Sequence, residues 1–359
     1  MADTPIDVVA RFEIPHRQYL SPKGETVDGL PDIATDREKV VALYRGMVET
    51  RVFDEKAVAL QRTGRLGTYA SSLGQEAVSV GLAAAMSTED VLLPSFREHG
   101  AQLWRGVTMQ EIFLFWGGDE RGSDFAGPKL DFPVCIPVGD QYPHAVGVAL
   151  ALQREGTGVA VAVGGDGSTS KGDFYEALNM AGVWNLPVVF VINNNQWAIS
   201  VPRTEQTAAE TIAQKAIAAG LASEQVDGCD VLAVHAAVAT AVERARSDGC
   251  GMLIECVTYR LCDHTTADDA SRYREDAEVS AAWANEPLRR LRTFLTDAHG
   301  WTKEDETTLR DEAHSKVEAA AEAYLETRPM EPNAMFEHLR ASPGTDTLRD
   351  LAEKEMSDG

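Results

Sequence analysis

Gly158-Val-Ala-Val-Ala-Val-Gly164-Gly165-Asp166-Gly167 and Leu186-Pro-Val-Val-Phe-Val-Ile192-Asn193-Asn194-Asn195 decide how this chain folds. Each is a short, continuous, β-branched run that ends in a polar cluster, the pattern of strands buried on both faces of a parallel sheet. Strands are expected over 158–164 and 186–192. Between them, Phe174 to Trp184 carries helix-forming residues, with Leu178, Ala181 and Val183 as apolar positions. The segment therefore reads as one βαβ unit with a right-handed crossover. Asp166 and Asn195, 29 positions apart, then both stand just past the carboxyl ends of strands, the edge where open α/β sheets bind ligands.

A carboxylate and a side-chain amide are hard oxygen ligands, suited to Mg²⁺ that also takes diphosphate oxygens and water. Gly165 and Gly167 are expected to let the backbone take positive φ and approach a phosphate, with Ser168, Thr169 and the next helix N-terminus offering hydroxyls and free N–H groups. Other glycine motifs fail. A dinucleotide fingerprint from Gly165 needs glycine where Ser170 stands, and a nucleotide P-loop from Gly167 needs Lys and Ser/Thr where Asp173 and Phe174 stand.

The blocks Gly165-Asp166-Gly167-Ser-Thr-Ser-Lys-Gly172-Asp173-Phe174-Tyr175-Glu176 and Asn194-Asn195-Gln196-Trp197-Ala198-Ile199-Ser200 resemble the thiamine diphosphate signature. More closely, they resemble the alpha subunit of the decarboxylating component of 2-oxoacid dehydrogenase complexes. The resemblance implies that Asp166 and Asn195 ligate Mg²⁺ by side chain and Trp197 by its carbonyl, with Gly165, Gly167 and Ser168 against the cofactor and Asn194 a neighbour. Leu93-Pro-Ser-Phe96-Arg97-Glu98-His99-Gly100 is similar to the segment whose arginine grips the diphosphate, a task that suits a planar guanidinium. Phe96 stands here in place of the usual tyrosine. Cys135-Ile-Pro-Val138-Gly-Asp140-Gln141 looks like the segment that supports the thiazolium, with Val138 propping the bent cofactor, before a helix expected to begin near His144. Tyr259 to Arg274 resembles the loop whose histidine, here His264, assists proton movement during acyl transfer; an ordinary imidazole near ~6.5 suits that work at neutral pH. Relatives carry a phosphoserine just after that histidine. Here Thr265 follows.

The resemblance runs from about 36 to 339. It implies an α/β fold, a mostly parallel sheet with helices on both faces, plus a C-terminal helical extension. Residues 1–34, with four prolines, read as an extended arm, 35–285 as the diphosphate-binding domain and 286–359 as the extension. A long amphipathic helix is expected to start with a Thr35/Glu38 capping box, to bury Val40, Leu43, Met47 and Leu60, and to stop at Gly64. Another is expected from Thr302 with Asp305 as box partner, burying Leu309, Ala313, Val317, Ala320 and Tyr324.

The chain's 359 residues at 44% hydrophobic suffice for a sizeable core. A net charge of −23 disfavours nucleic acid and anionic membranes. No apolar run approaches the ~18 residues of a span, and the start lacks a signal peptide's regions, so a cytoplasmic location is expected. Five cysteines without Cys-x-x-Cys argue against a disulfide framework or structural zinc. Thiamine catalysis also needs a second α/β domain and a glutamate for the aminopyrimidine ring, and only one cofactor-type βαβ unit is present. The resemblance implies that a beta subunit supplies them in an α₂β₂ tetramer, and that the acyl group passes to a lipoyl-bearing acyltransferase core. Pyruvate is the favoured substrate, then branched-chain 2-oxoacids, then acetoin. A non-catalytic scaffold is the alternative of another class, disfavoured because it has no need of Asp166, Asn195, Arg97 and His264 together.

Overall fold

The computed structural model describes residues 8–27, 29–331 and four positions beyond, 334, 349, 353 and 356. The first residues of the expected arm and the end of the expected extension lie outside these. The strands are β1 His16–Arg17, β2 Val91–Leu93, β3 Ala160–Gly165, β4 Val188–Asn194, β5 Trp197–Ala198, β6 Val201–Pro202, β7 Ala222–Asp227 and β8 Met252–Val257. Six form a parallel sheet in the order β1-β7-β8-β4-β3-β2, and β5 and β6 form a small antiparallel hairpin. The chain is thus α/β. Its two signature strands pair directly, Gly165 opposite Asn193.

Alternation along the strands builds two apolar layers. Val91, Leu93, Ala160, Ala162, Val188, Phe190 and Ile192 face the helices Gln141–Glu155 and Gly172–Trp184. Leu92, Val161, Val163, Val189 and Val191 face Glu76–Ala84 and Val231–Asp248. With both faces covered, the strands read as unbroken apolar runs in sequence. A third cluster packs helix Arg37–Arg62 against Met109–Trp116, Pro287–His299 and Lys303–Glu326.

Several local expectations change. Val183 is 66% exposed, because the buried stripe of its helix is Phe174, Ala177, Leu178 and Ala181, and position 183 falls off that 3.6-residue period. The helix after Val138 begins at Gln141, ahead of His144. The first long helix is capped by Asp36, whose carboxylate accepts from the N–H groups of Glu38 and Lys39, while Thr35 closes a short 3₁₀ turn by donating to the Asp32 carbonyl. The Thr302/Asp305 capping box forms as expected and Leu309, Ala313 and Val317 are buried below it, but Ala320 and Tyr324 are only partly buried, and Ala321 takes the covered position.

Candidate active site

Four neighbouring strands deliver the candidate groups to one edge of the sheet. Ser95-Phe96-Arg97 follows β2, Asp166 to Ser168 follow β3, Asn195 to Trp197 follow β4, and the loop to His264 follows β8. All ten candidate residues, Phe96, Arg97, Val138, Gly165, Asp166, Gly167, Ser168, Asn195, Trp197 and His264, line one cavity of about 520 Å³. Asn194 is turned away, its Nδ2 donating to Glu255 at 2.7 Å.

Glycines shape the β3 turn, though not through positive φ. Gly165 has φ −84°, and Gly167 is not among the left-handed positions. What matters is room. A Cβ on Gly167 would lie 2.6 Å from the Ala198 Cβ of the hairpin, and one on Gly164 would lie 2.0 Å from the Tyr142 hydroxyl. The expected positive φ is absent at both positions, and at Gly167 close packing demands the small residue instead. The turn is then pinned: Tyr142 Oη and Ser168 Oγ are 2.6 Å apart, and the buried Lys215 ammonium donates to both oxygens of Thr169 at 2.9 Å.

Buried charges gather at this edge. Asp166 is 1% exposed, and burial raises its carboxyl above the ordinary range even though Gln206 donates to Oδ2 at 2.7 Å. Arg97 lines the cavity and Arg260 contacts its Trp197 and His264; they are 5% and 0% exposed, and neither pairs with a carboxylate among the described residues. Arg97 donates to the carbonyls of Ser71 and His264, and Arg260 to those of Trp197 and Ile199 and to Tyr273 Oη. Burying a cation without a counter-ion is costly, so this pair favours an anion.

His264 Nδ1 lies 3.0 Å from Arg97 Nη2 and 3.4 Å from Arg260 Nη1. Guanidinium groups only donate, so Nδ1 is the acceptor and the proton of the neutral ring sits on Nε2. Burial, with Arg97 and Arg260 adding to it, pushes its pKa down to about 4, in place of the ordinary value expected from sequence.

The donor set fits a metal diphosphate. A buried carboxylate at Asp166, an amide oxygen at Asn195 and a carbonyl at Trp197 suit a hard cation, and Arg97, in the cavity wall without a carboxylate partner among the described residues, suits phosphate oxygens. Among the described residues no three His, Cys, Asp or Glu side chains gather, so a zinc-type set is absent there. Sequence reasoning missed Arg260, Gln206 and Gln75. Arg260 sits in a block already singled out, but nothing in its spacing marks it as buried, and Gln206 and Gln75 reach the site only through the fold.

Residues 44–333 match the family described as dehydrogenase E1 component. The chain is 42% identical over 308 residues to the pyruvate dehydrogenase E1 component subunit alpha of Bacillus subtilis (strain 168), covering 84% of this chain and 82% of that protein. It is also 42% identical over 318 residues to the protein of the same name from Staphylococcus aureus (strain Mu50 / ATCC 700699), covering 88% and 85%. The 3-methyl-2-oxobutanoate dehydrogenase subunit alpha of Mycobacterium tuberculosis (strain CDC 1551 / Oshkosh) is 42% identical over 319 residues, covering 88% and 87%. A match over most of its length, joined to a sheet edge that assembles the motif residues on one cavity, means that the chain belongs to the dehydrogenase E1 component family.

Proposed function

We propose that this chain is the alpha subunit of a lipoamide-linked 2-oxoacid dehydrogenase that holds Mg²⁺ and thiamine diphosphate in the cavity and acts on pyruvate. The observation that carries the reading is that buried Asp166 and buried Arg97, which has no carboxylate partner among the described residues, line the same cavity. Asp166 and Asn195 hold the cation by side chain and Trp197 holds it by its carbonyl. Arg97 grips phosphate oxygens through a planar fork, and Ser168 and the N–H groups of the turn add donors. Val138 supports the bound molecule from the apolar wall. Thiamine diphosphate bound there supplies a nucleophilic carbon and an electron sink for loss of CO₂. His264, carrying its proton on Nε2, holds and moves a proton during transfer of the acyl group to lipoyl-lysine of the acyltransferase core.

Relatives named for pyruvate and for 3-methyl-2-oxobutanoate match at the same 42% identity, so both substrates belong in the test. The chain is co-expressed with a beta subunit, and dye reduction is followed with each 2-oxoacid and thiamine diphosphate. The expected outcome is a kcat/KM for pyruvate at least tenfold above that for 3-methyl-2-oxobutanoate. The reverse ratio moves the assignment to branched-chain acids, and no turnover with either overturns it.

A further inference from the structure

Backbone chemistry fixes the orientation of two amides at the cavity wall. The Trp197 backbone N–H can only donate, so the Asn195 atom facing it at 3.3 Å is Oδ1. Nδ2 is then the other end, and it donates to Gln75 Oε1 at 3.0 Å. Gln75, 1% exposed, is left with Nε2, a buried donor that has no partner among the described residues. The same residue lines the cavity.

The position of Gln75 is itself held. Gly74, at φ +87°, turns the chain just before it, the Gly74 N–H donates to Glu76 Oε2 at 3.0 Å, and the Gln75 N–H donates to the Ser72 carbonyl at 2.9 Å. Ser72 is held in turn, its N–H donating to Asp54 at 2.7 Å. A buried donor left unpaired is costly, and one in a native fold points to a partner such as an ion or ligand group.

We infer that Gln75 is a positioning residue for the cation: by engaging Asn195 Nδ2 it keeps Asn195 Oδ1 turned to the metal, and its own Nε2 donates to an oxygen of the diphosphate. An amide oxygen has two acceptor sites, so Oδ1 serves both the Trp197 N–H and a cation. Without Gln75 only the Trp197 N–H, at 3.3 Å, opposes a turnover of the amide that would present NH₂, which ligates no metal. The inference rests on the reading of the cavity as a Mg²⁺ and thiamine diphosphate site.

The test uses the co-expressed alpha and beta chains with Mn²⁺ as a paramagnetic probe, titrated at saturating thiamine diphosphate, and thiamine diphosphate titrated at saturating Mn²⁺. Gln75→Met removes both hydrogen bonds and is expected to weaken Mn²⁺ at least tenfold. Gln75→Glu keeps an acceptor for Asn195 Nδ2 but loses the donor. It is expected to hold Mn²⁺ within threefold of the parent or tighter while weakening thiamine diphosphate at least tenfold. Unchanged Mn²⁺ affinity in Gln75→Met overturns the inference, as does equal weakening of Mn²⁺ in both variants or thiamine diphosphate binding in Gln75→Glu that matches the parent. Asp166→Asn separates the two levels: if the parent itself takes up no Mn²⁺, or Asp166→Asn binds it as well as the parent, the cavity reading fails, whereas loss in Asp166→Asn alone leaves that reading standing and removes Gln75.

Discussion

His264 sits between two cations, and this sets its protonation. In the folded chain its pKa of about 4 lies below the ~6.5 of an unfolded histidine, so the unfolded chain takes up the proton first as pH falls. The neutral ring therefore adds stability above pH ~6.5, and that contribution fades as pH drops toward 4. Melting temperatures measured across this range should fall more steeply for the parent than for His264→Asn, and parallel curves would contradict the site's electrostatics. An anion on Arg97 offsets one of the two charges, so histidine NMR should show the pKa rising when thiamine diphosphate is added. Loss of a general acid or base costs ~10² to 10⁴ in rate. His264→Ala should accordingly slow single-turnover acylation of a lipoyl domain by that order while thiamine diphosphate still binds. A fall of less than about threefold would assign the proton step to the partner chain.

The β3 turn separates two uses of glycine that look identical in sequence. Gly167 faces the hairpin, where an added Cβ meets Ala198 at 2.6 Å, whereas a Cβ on Gly165 meets no protein atom within 4 Å and that residue lines the cavity. Gly167→Ala should thus destabilise the fold by about 1–3 kcal/mol, the usual cost of overpacking. Gly165→Ala should melt with the parent yet bind thiamine diphosphate more weakly, because the new methyl stands in ligand space. Calorimetric melts beside a cofactor titration check both, and equal melting of the two variants would contradict this division. The strands, the helix between them and the edge bearing Asp166 and Asn195 were legible in sequence because a doubly covered parallel strand leaves an unbroken apolar signature. The reason for each glycine was not, since close approach depends on a hairpin 30 residues away. Asp36 displaced Thr35 as the cap for a similar reason: adjacent candidates differ by one residue, and the 3₁₀ turn that consumes Thr35 is set by local geometry. Arg260 and Gln75 escaped notice because burial without a counter-ion or partner is a property of the packed chain.

At the scale of the molecule, the sheet edge is finished on one side only. Ile136, Val138 and Ile199 line the cavity yet are 54%, 44% and 56% exposed, so apolar surface borders buried Asp166 and Arg97. Clustered exposed apolar residues mark a surface that a ligand or another chain covers. The described residues hold one cofactor-type βαβ unit, and the aminopyrimidine end of thiamine diphosphate needs a second α/β domain with its glutamate. The purified chain alone is therefore expected to decarboxylate no 2-oxoacid at a measurable rate, and a beta subunit should restore turnover in proportion to the complex formed. Light scattering on the mixture should give the mass of two 38.9 kDa alpha chains plus two beta chains, since a site shared between chains is most simply repeated by a two-fold axis. A stable αβ pair that never doubles would remove the symmetry and leave the shared site. A single chain that turns over pyruvate at the rate of the mixture would show that the site is complete within one chain, and the exposed apolar rim would then need a different occupant.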